Sequence, residues 1–110
     1  MPHLRFRAVS VDTLQRISGP LMADLCALTG GKPESVTLEG VPTTQVRDGV
    51  IAAGSPFVEL VWFERPQEVQ DAAAALITRH LKAVLGEQTY VVVQVLPIVK
   101  SHYYSNGQHY

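Results

Sequence analysis

Apolar residues in this chain change period in the order strand, helix, strand, and then repeat that order. From Pro2 to Arg7 they alternate, with Leu4 and Phe6 on one side and His3, Arg5 and Arg7 on the other. That pattern predicts a strand with two unlike faces. From Asp12 to Thr29, Leu14, Ile17, Leu21, Leu25 and Leu28 recur every three or four residues, a helical stripe. Asp12, with Gln15 three positions on, predicts the N-terminal cap, and Gly30-Gly31 the stop. Pro20 lies inside the stripe, and it lacks an N–H and crowds the preceding turn, so a kink or two coaxial pieces is expected. Residues 35–41 read as a second strand, 42–55 as a loop holding Gly49 and Gly54, and 57–64 as a third strand. Pro66 opens a second helix running to about Leu85 before Gly86. Residues 89–96 form a β-branched fourth strand, and Asn106-Gly107 marks a hairpin in the tail.

The two units also match in sequence. Pro2 pairs with Pro56, Leu4 with Val58 and Phe6 with Leu60, each 54 positions on. Leu21 pairs with Leu76, Val36 with Val91 and Pro42 with Pro97, each 55 on. A single domain over residues 1–110 therefore reads as a duplicated β-α-β, about 2–42 and 56–97, with a tail at 98–110. Each unit makes a parallel strand pair with its helix on one face. The fold class is α+β, an α/β sandwich of a four-stranded mixed sheet with two helices on one face.

Leu4, Phe6, Val36, Leu38, Val58, Leu60, Trp62, Val91, Val93 and Val95 are the face expected under the helices. The other face carries Val41, Phe57, Val61, Phe63, Tyr90, Val92 and Leu96 among Arg5, Arg7, Glu39, Glu59 and Gln94. Two helices cannot cover both, so copies of the chain are expected to close sheet against sheet. The two Arg and two Glu are read as paired at that interface rather than as catalytic groups. Charge supports this: 17% of residues are charged, against roughly 25% in an average soluble domain. Lys and Arg number 9 against 10 Asp and Glu, which argues against a nucleic-acid partner. No apolar run approaches a membrane span, and the expected location is the cytoplasm.

Motif searches exclude more than they find. Residues 26–33 only brush a P-loop pattern, with Cys26 and Pro33 at its defining positions. His3, His80, His102 and His109 have no metal-ligand spacing, and no metal or cofactor is expected. His80 reads as a histidine at the core edge, and Cys26 as a buried inert thiol. The remaining candidate is Pro2. Loss of Met1 would expose it as a secondary amine on the first core strand. A free α-amino group titrates near 8, and a neighbouring cation such as Lys32 lowers that value. An amine poised near neutrality is a competent general base.

Met1-Pro2-His3-Leu4, the β-α-β duplication and the chain length together resemble the tautomerase/macrophage migration inhibitory factor superfamily. Leu28-Thr29-Gly30-Gly31-Lys32-Pro33 is similar to that family's exit from the first helix, where the Lys lines the active site. Tyr90 matches a pocket tyrosine, although Val92 stands where an Asn follows it in the family. Trp62-Phe63-Glu64-Arg65 and Tyr103-Tyr104-Ser105-Asn106-Gly107 look closer to a bacterial branch whose reaction is unassigned.

The resemblance implies a homotrimer with an active site at each subunit boundary. It implies Pro2 as the base in keto–enol tautomerisation of a small carboxylated substrate. Lys32 would contact the carboxylate or carbonyl, and Tyr90 would be a pocket wall or donor. Arg65 and Arg47 are loop candidates for a second cation. Related members carry out dehalogenation or decarboxylation with the same proline. Two alternatives stand beside this: a non-catalytic trimer of the same fold used for binding or assembly, and a ferredoxin-like dimeric barrel.

Overall fold

In the computed structural model, which describes residues 2–110, two β-α-β units build one sheet. β1 (His3–Arg7) leads into α1 (Val11–Thr29), and a short 3-10 turn at Pro33–Ser35 precedes β2 (Thr37–Val41). A hairpin of β3 (Gln45–Arg47) and β4 (Val50–Ala52) follows. The second unit is β5 (Phe57–Phe63), α2 (Gln67–Leu85) and β6 (Val92–Ile98). A 3-10 turn at Lys100–His102 then leads to a terminal hairpin of β7 (Tyr104–Ser105) and β8 (Gln108–His109).

The main sheet runs in the order β2-β1-β5-β6. β1 is parallel to β2, β5 is parallel to β6, and β1 meets β5 antiparallel, so the sheet is mixed. The parallel strands of each unit are direct neighbours. A ferredoxin-like fold splits its β-α-β units, and this order therefore excludes that alternative. Equivalent positions do equivalent work in the two units. The Thr37 N–H donates to the Pro2 carbonyl at 3.0 Å, and the Val92 N–H donates to the Pro56 carbonyl at 3.0 Å. Gly30 and Gly86 end the helices by donating to Cys26 and Lys82, both at 2.8 Å.

One core fills the space between sheet and helices. Leu4, Phe6, Val36, Val58, Leu60 and Trp62 rise from the sheet to meet Leu14, Ile17, Leu21 and Leu25 of α1 and Ala73, Ile77 and Leu81 of α2. The burial register of the helices is 56, so Leu21 corresponds to Ile77 rather than to Leu76. Burying each such large side chain is worth about 1.5–3 kcal/mol.

Several local expectations are corrected. Ser10, not Asp12, caps α1, with its hydroxyl accepting from the Thr13 N–H at 3.1 Å. α1 is one unbroken helix through Pro20, which lies on its exposed side, where water can take the carbonyl bond the ring forfeits. The expected loop at 42–55 contains a hairpin, whose turn residues Asp48 and Gly49 take φ values of 50° and 78°. Those are the positive values a two-residue hairpin turn demands, and Asp-Gly supplies them cheaply. The fourth strand starts at Val92 and runs through Pro97, tolerated because β6 is an edge strand. The terminal hairpin forms at Asn106-Gly107 as expected, with φ of 51° and 80°.

Candidate functional site

The ends of β1 and β2 create a site at one end of the open sheet face. Pro2 is buried at the start of β1, with its carbonyl tied to Thr37. The next residue, His3, points to the open face because Leu4 points into the core. Thr37 lies beside His3 in register on β2, so the two side chains share a row across the sheet. Lys32 arrives from the other direction. Gly30 stops α1 in the left-handed conformation at φ 74°, which leaves Lys32 extended ahead of the turn at Pro33–Ser35. The Ser35 hydroxyl donates to the Lys32 carbonyl at 2.7 Å and fixes that backbone.

His3, Lys32 and Thr37 line a cavity of about 340 Å³ together with Glu34, Ser35, Tyr103 and Tyr110. The tyrosines come from the C-terminal tail, folded back over the Pro2 end of the sheet. Tyr103 stacks on His3 with ring centres 5.9 Å apart and meets Phe63 edge-on at 5.5 Å. Tyr110 closes the group at 5.1 Å from Phe63 and 5.3 Å from Tyr103. His3 bridges the tail and the sheet: Nδ1 is hydrogen-bonded to the Thr37 hydroxyl and Nε2 to the Tyr103 hydroxyl, the latter at 3.2 Å. Burial, reinforced by the positive charge of Arg5, holds the His3 pKa below its ordinary value. Its resting form is therefore a neutral ring, one nitrogen a donor and the other an acceptor.

The sequence-derived candidates divide between the two ends of the sheet. Lys32 lines this cavity, whereas Pro2 is buried beside it in the chain, directly before His3, and is not part of the lining. Arg65 follows β5 at the same end, but its guanidinium lies over the Trp62 ring at 5.7 Å and not in the cavity lining. Tyr90 precedes β6 rather than opening it, is 72% exposed, and sits at the opposite end, near Phe57 and Arg7. Arg47 is on the β3–β4 hairpin beyond that opposite end and is exposed. Within one chain neither Tyr90 nor Arg47 reaches Lys32. His3, Thr37, Tyr103 and Tyr110 are site residues that the motif search passed over. The β1 alternation already assigned His3 to the open face, so that part of the signal was present.

Several charged groups outside the cavity pair with one another, while the buried Trp62 indole N–H has no hydrogen-bond partner. Arg5 donates to Glu39 at 2.9 Å, and Arg7 lies 2.7 Å from Glu59, the paired charges expected on this face. His80 and Arg79 of α2 meet Asp24 of α1 at 2.7 and 3.1 Å. These contacts hold the Asp24 carboxyl below its ordinary pKa, the hydrogen bond to His80 foremost. A second cavity of about 310 Å³ lies between the far end of β1 and the β3–β4 hairpin, lined by residues such as Thr43, Gln45 and Ile51 and by no ionisable group. Among the described residues, no group of three or more His, Cys, Asp or Glu is arranged to hold a metal ion. Among the described residues, no helix is long and apolar enough to cross a membrane.

The family described as "Domain of unknown function (DUF1904)" matches residues 1–109. The crystal structure of a DUF1904 domain from Sebaldella termitidis superposes with a TM-score of 0.91 at 30% identity, covering 100% of both chains. An F6 fused 4-OT asymmetric trimer matches with a TM-score of 0.77 at 19% identity, over 97% of this chain and 94% of that one. A macrophage migration inhibitory factor-like protein from Entamoeba histolytica matches with a TM-score of 0.72 at 12% identity, over 99% and 98%. No curated protein sequence matches. The fold is that of the tautomerase/macrophage migration inhibitory factor superfamily.

Proposed function

The chain belongs to the DUF1904 family, and from that premise and the site geometry we propose a tautomerase-type proton-transfer catalyst acting on a small carboxylated keto or enol substrate. The observation that supports this is that Lys32 lines one cavity together with His3, the residue that directly follows Pro2. Met1 lies outside the described residues. While it is attached, the Pro2 nitrogen is a tertiary amide with no basic lone pair. Once it is removed, that nitrogen is a secondary amine one residue from His3 of the cavity wall. The amine takes a proton from the substrate carbon and Lys32 pairs with the carboxylate. The Lys32 side chain is exposed, so its hold on the carboxylate is worth roughly 1 kcal/mol until something closes the site from solvent.

A second copy of the chain would do that. Tyr90 belongs to the end of the sheet remote from Lys32, so it joins a site only if a neighbour brings it there. The β3–β4 hairpin presents Val46, Val50 and the 80% exposed Ile51 to solvent, apolar surface that suits a subunit boundary. A homotrimer is the assembly proposed, in keeping with the trimer named for the fused 4-OT. Light scattering should return three copies, and Ile51→Glu should shift the protein toward monomer.

The activity is tested by proton exchange of phenylenolpyruvate and 2-hydroxymuconate with wild type and Pro2→Ala. Turnover that collapses in the variant supports the reading. Wild-type rates no higher than buffer, unchanged by Pro2→Ala, would leave a binding protein of the same fold.

A further inference from the structure

The hydrogen-bonded chain Thr37–His3–Tyr103 crosses the cavity wall from the sheet to the tail. Each outer member is a hydroxyl, able to donate or to accept, and the middle member is a ring with two exchangeable nitrogens. Two arrangements are therefore both fully satisfied. With the proton on Nε2, His3 donates to the Tyr103 oxygen and leaves the phenol O–H free to point into the cavity as a donor. With the proton on Nδ1, His3 donates to Thr37 and accepts from Tyr103, whose oxygen then faces the cavity as an acceptor. A keto substrate presents an acceptor oxygen, and its enol presents a donor O–H. The chain matches both.

Resting on the proposed activity, we infer that Tyr103 is the catalytic group for the substrate's oxygen, and that His3 is its positioning residue, switching Tyr103 between donor and acceptor by exchanging tautomers. In the keto-to-enol direction the substrate C–H bond breaks and Pro2 nitrogen gains that proton. The substrate oxygen takes the Tyr103 O–H proton, Tyr103 takes the His3 Nε2 proton, and His3 Nδ1 takes the Thr37 hydroxyl proton. Water then reprotonates Thr37, and Pro2 returns its proton to water, so no net charge accumulates. The chain resets when water protonates the Tyr103 oxygen, Tyr103 passes its proton to His3 Nε2, and His3 Nδ1 releases its proton through Thr37 to water. The reverse direction runs the same transfers backwards.

The surroundings suit this task. The aromatic contacts of Tyr103 with Phe63 and Tyr110 hold its ring in place without using its hydroxyl. β7 and β8 pair with each other in a separate two-stranded sheet, leaving His3–Tyr103 as a polar tie between tail and main sheet. The charged and titratable groups around His3 are Arg5 on its own strand, Glu39 on β2, Lys32 and Glu34 before β2, and Tyr110 in the tail. A charged imidazole there would add to the positive charge of Lys32 and Arg5, whereas a neutral one relays protons without it.

Two measurements test the inference. In the first, Tyr103→Phe keeps the ring and its packing, and His3→Gln keeps one donor and one acceptor but cannot exchange them. Both should lower kcat for phenylenolpyruvate about 100-fold, at the lower end of general acid–base contributions, with KM nearly unchanged. An unchanged kcat in Tyr103→Phe, when Pro2→Ala abolishes turnover, would overturn the inference while sparing the proposed activity. The second needs no substrate: nitrogen-15 shifts of the His3 ring in the resting protein. The expected result is an averaged tautomer population that moves in opposite directions in Tyr103→Phe and Thr37→Val. A single fixed tautomer, indifferent to both substitutions, would overturn the inference even if no substrate turns over.

Discussion

The two β-α-β halves have one backbone plan and two chemistries. Pro2 and Pro56 are both buried, and both offer a carbonyl to the first residue of the neighbouring parallel strand. Beyond that the halves diverge. His3 is replaced by Phe57, Thr37 by Val92 and, two positions beyond the helix stop, Lys32 by Gln88. The cavity lined by Lys32 and His3 is at the first end of the sheet, and the second end carries Tyr90 on an exposed connection. The two halves thus share what packs the core and differ at the ends of the sheet.

Residues on the axis relating the halves show the same division. Arg5 stands opposite Glu59 at the centre of the antiparallel β1–β5 pair, and these are equivalent positions, 54 apart. Asp24 meets His80 between the helices, again equivalent, 56 apart. Identical halves would set like against like at both places, Arg on Arg and Asp on Asp. Each position now faces a complementary partner, which removes a repulsion that a pair of identical halves would carry.

The largest test of this contrast is catalytic. Pro2→Ala should lower turnover of the enol probe by about 100-fold or more. Pro56→Ala should leave turnover per folded molecule unchanged, and a comparable loss there would erase the functional difference between the halves. Stability should behave in the opposite way. Leu25→Ala and Leu81→Ala remove fully buried, equivalent side chains, and each should cost about 2–5 kcal/mol in denaturant unfolding. A loss confined to one of them would show that the core is not shared evenly.

Smaller effects sharpen the picture. Lys32→Ala should raise KM about two- to fivefold with little change in kcat, the size expected of one exposed ion pair, whereas Gln88→Ala should change neither. Asp24 gives a pH signature. Its folded pKa is depressed below 3.8, so its stabilising effect is complete above that value and is lost as pH falls through the lower folded value. The melting temperature of Asp24→Asn should lie below wild type near neutrality and converge with it in strong acid. A difference that persists unchanged at low pH would mean that Asp24 acts through packing rather than charge.

Much of this was legible in the sequence because burial imposes a period. Leu4 and Phe6 alternate with His3 and Arg5, and the helix stripes recur at three and four, so sheet faces and helix contacts followed directly. The β3–β4 hairpin was less legible since Val46, Val50 and Ile51 bury nothing within one chain, although Asp48-Gly49 carried the turn signal. Of the candidate residues, Pro2 and Lys32 could be named from local context, and Lys32 lines the cavity. His3, Thr37 and Tyr103 could not, because their chemistry depends on contacts spanning 34 and 100 residues that no local pattern records. Tyr90 matched a motif, yet a motif does not say which end of the sheet, or which copy of the chain, supplies the residue.

The account rests on a free secondary amine at Pro2, and intact mass spectrometry of the natively expressed protein reads that directly. The account predicts a chain lighter than the full sequence by one methionine residue, with Pro2 at its amino terminus. Met1 retained on most molecules would contradict it, because an acylated Pro2 nitrogen cannot take a proton from any substrate.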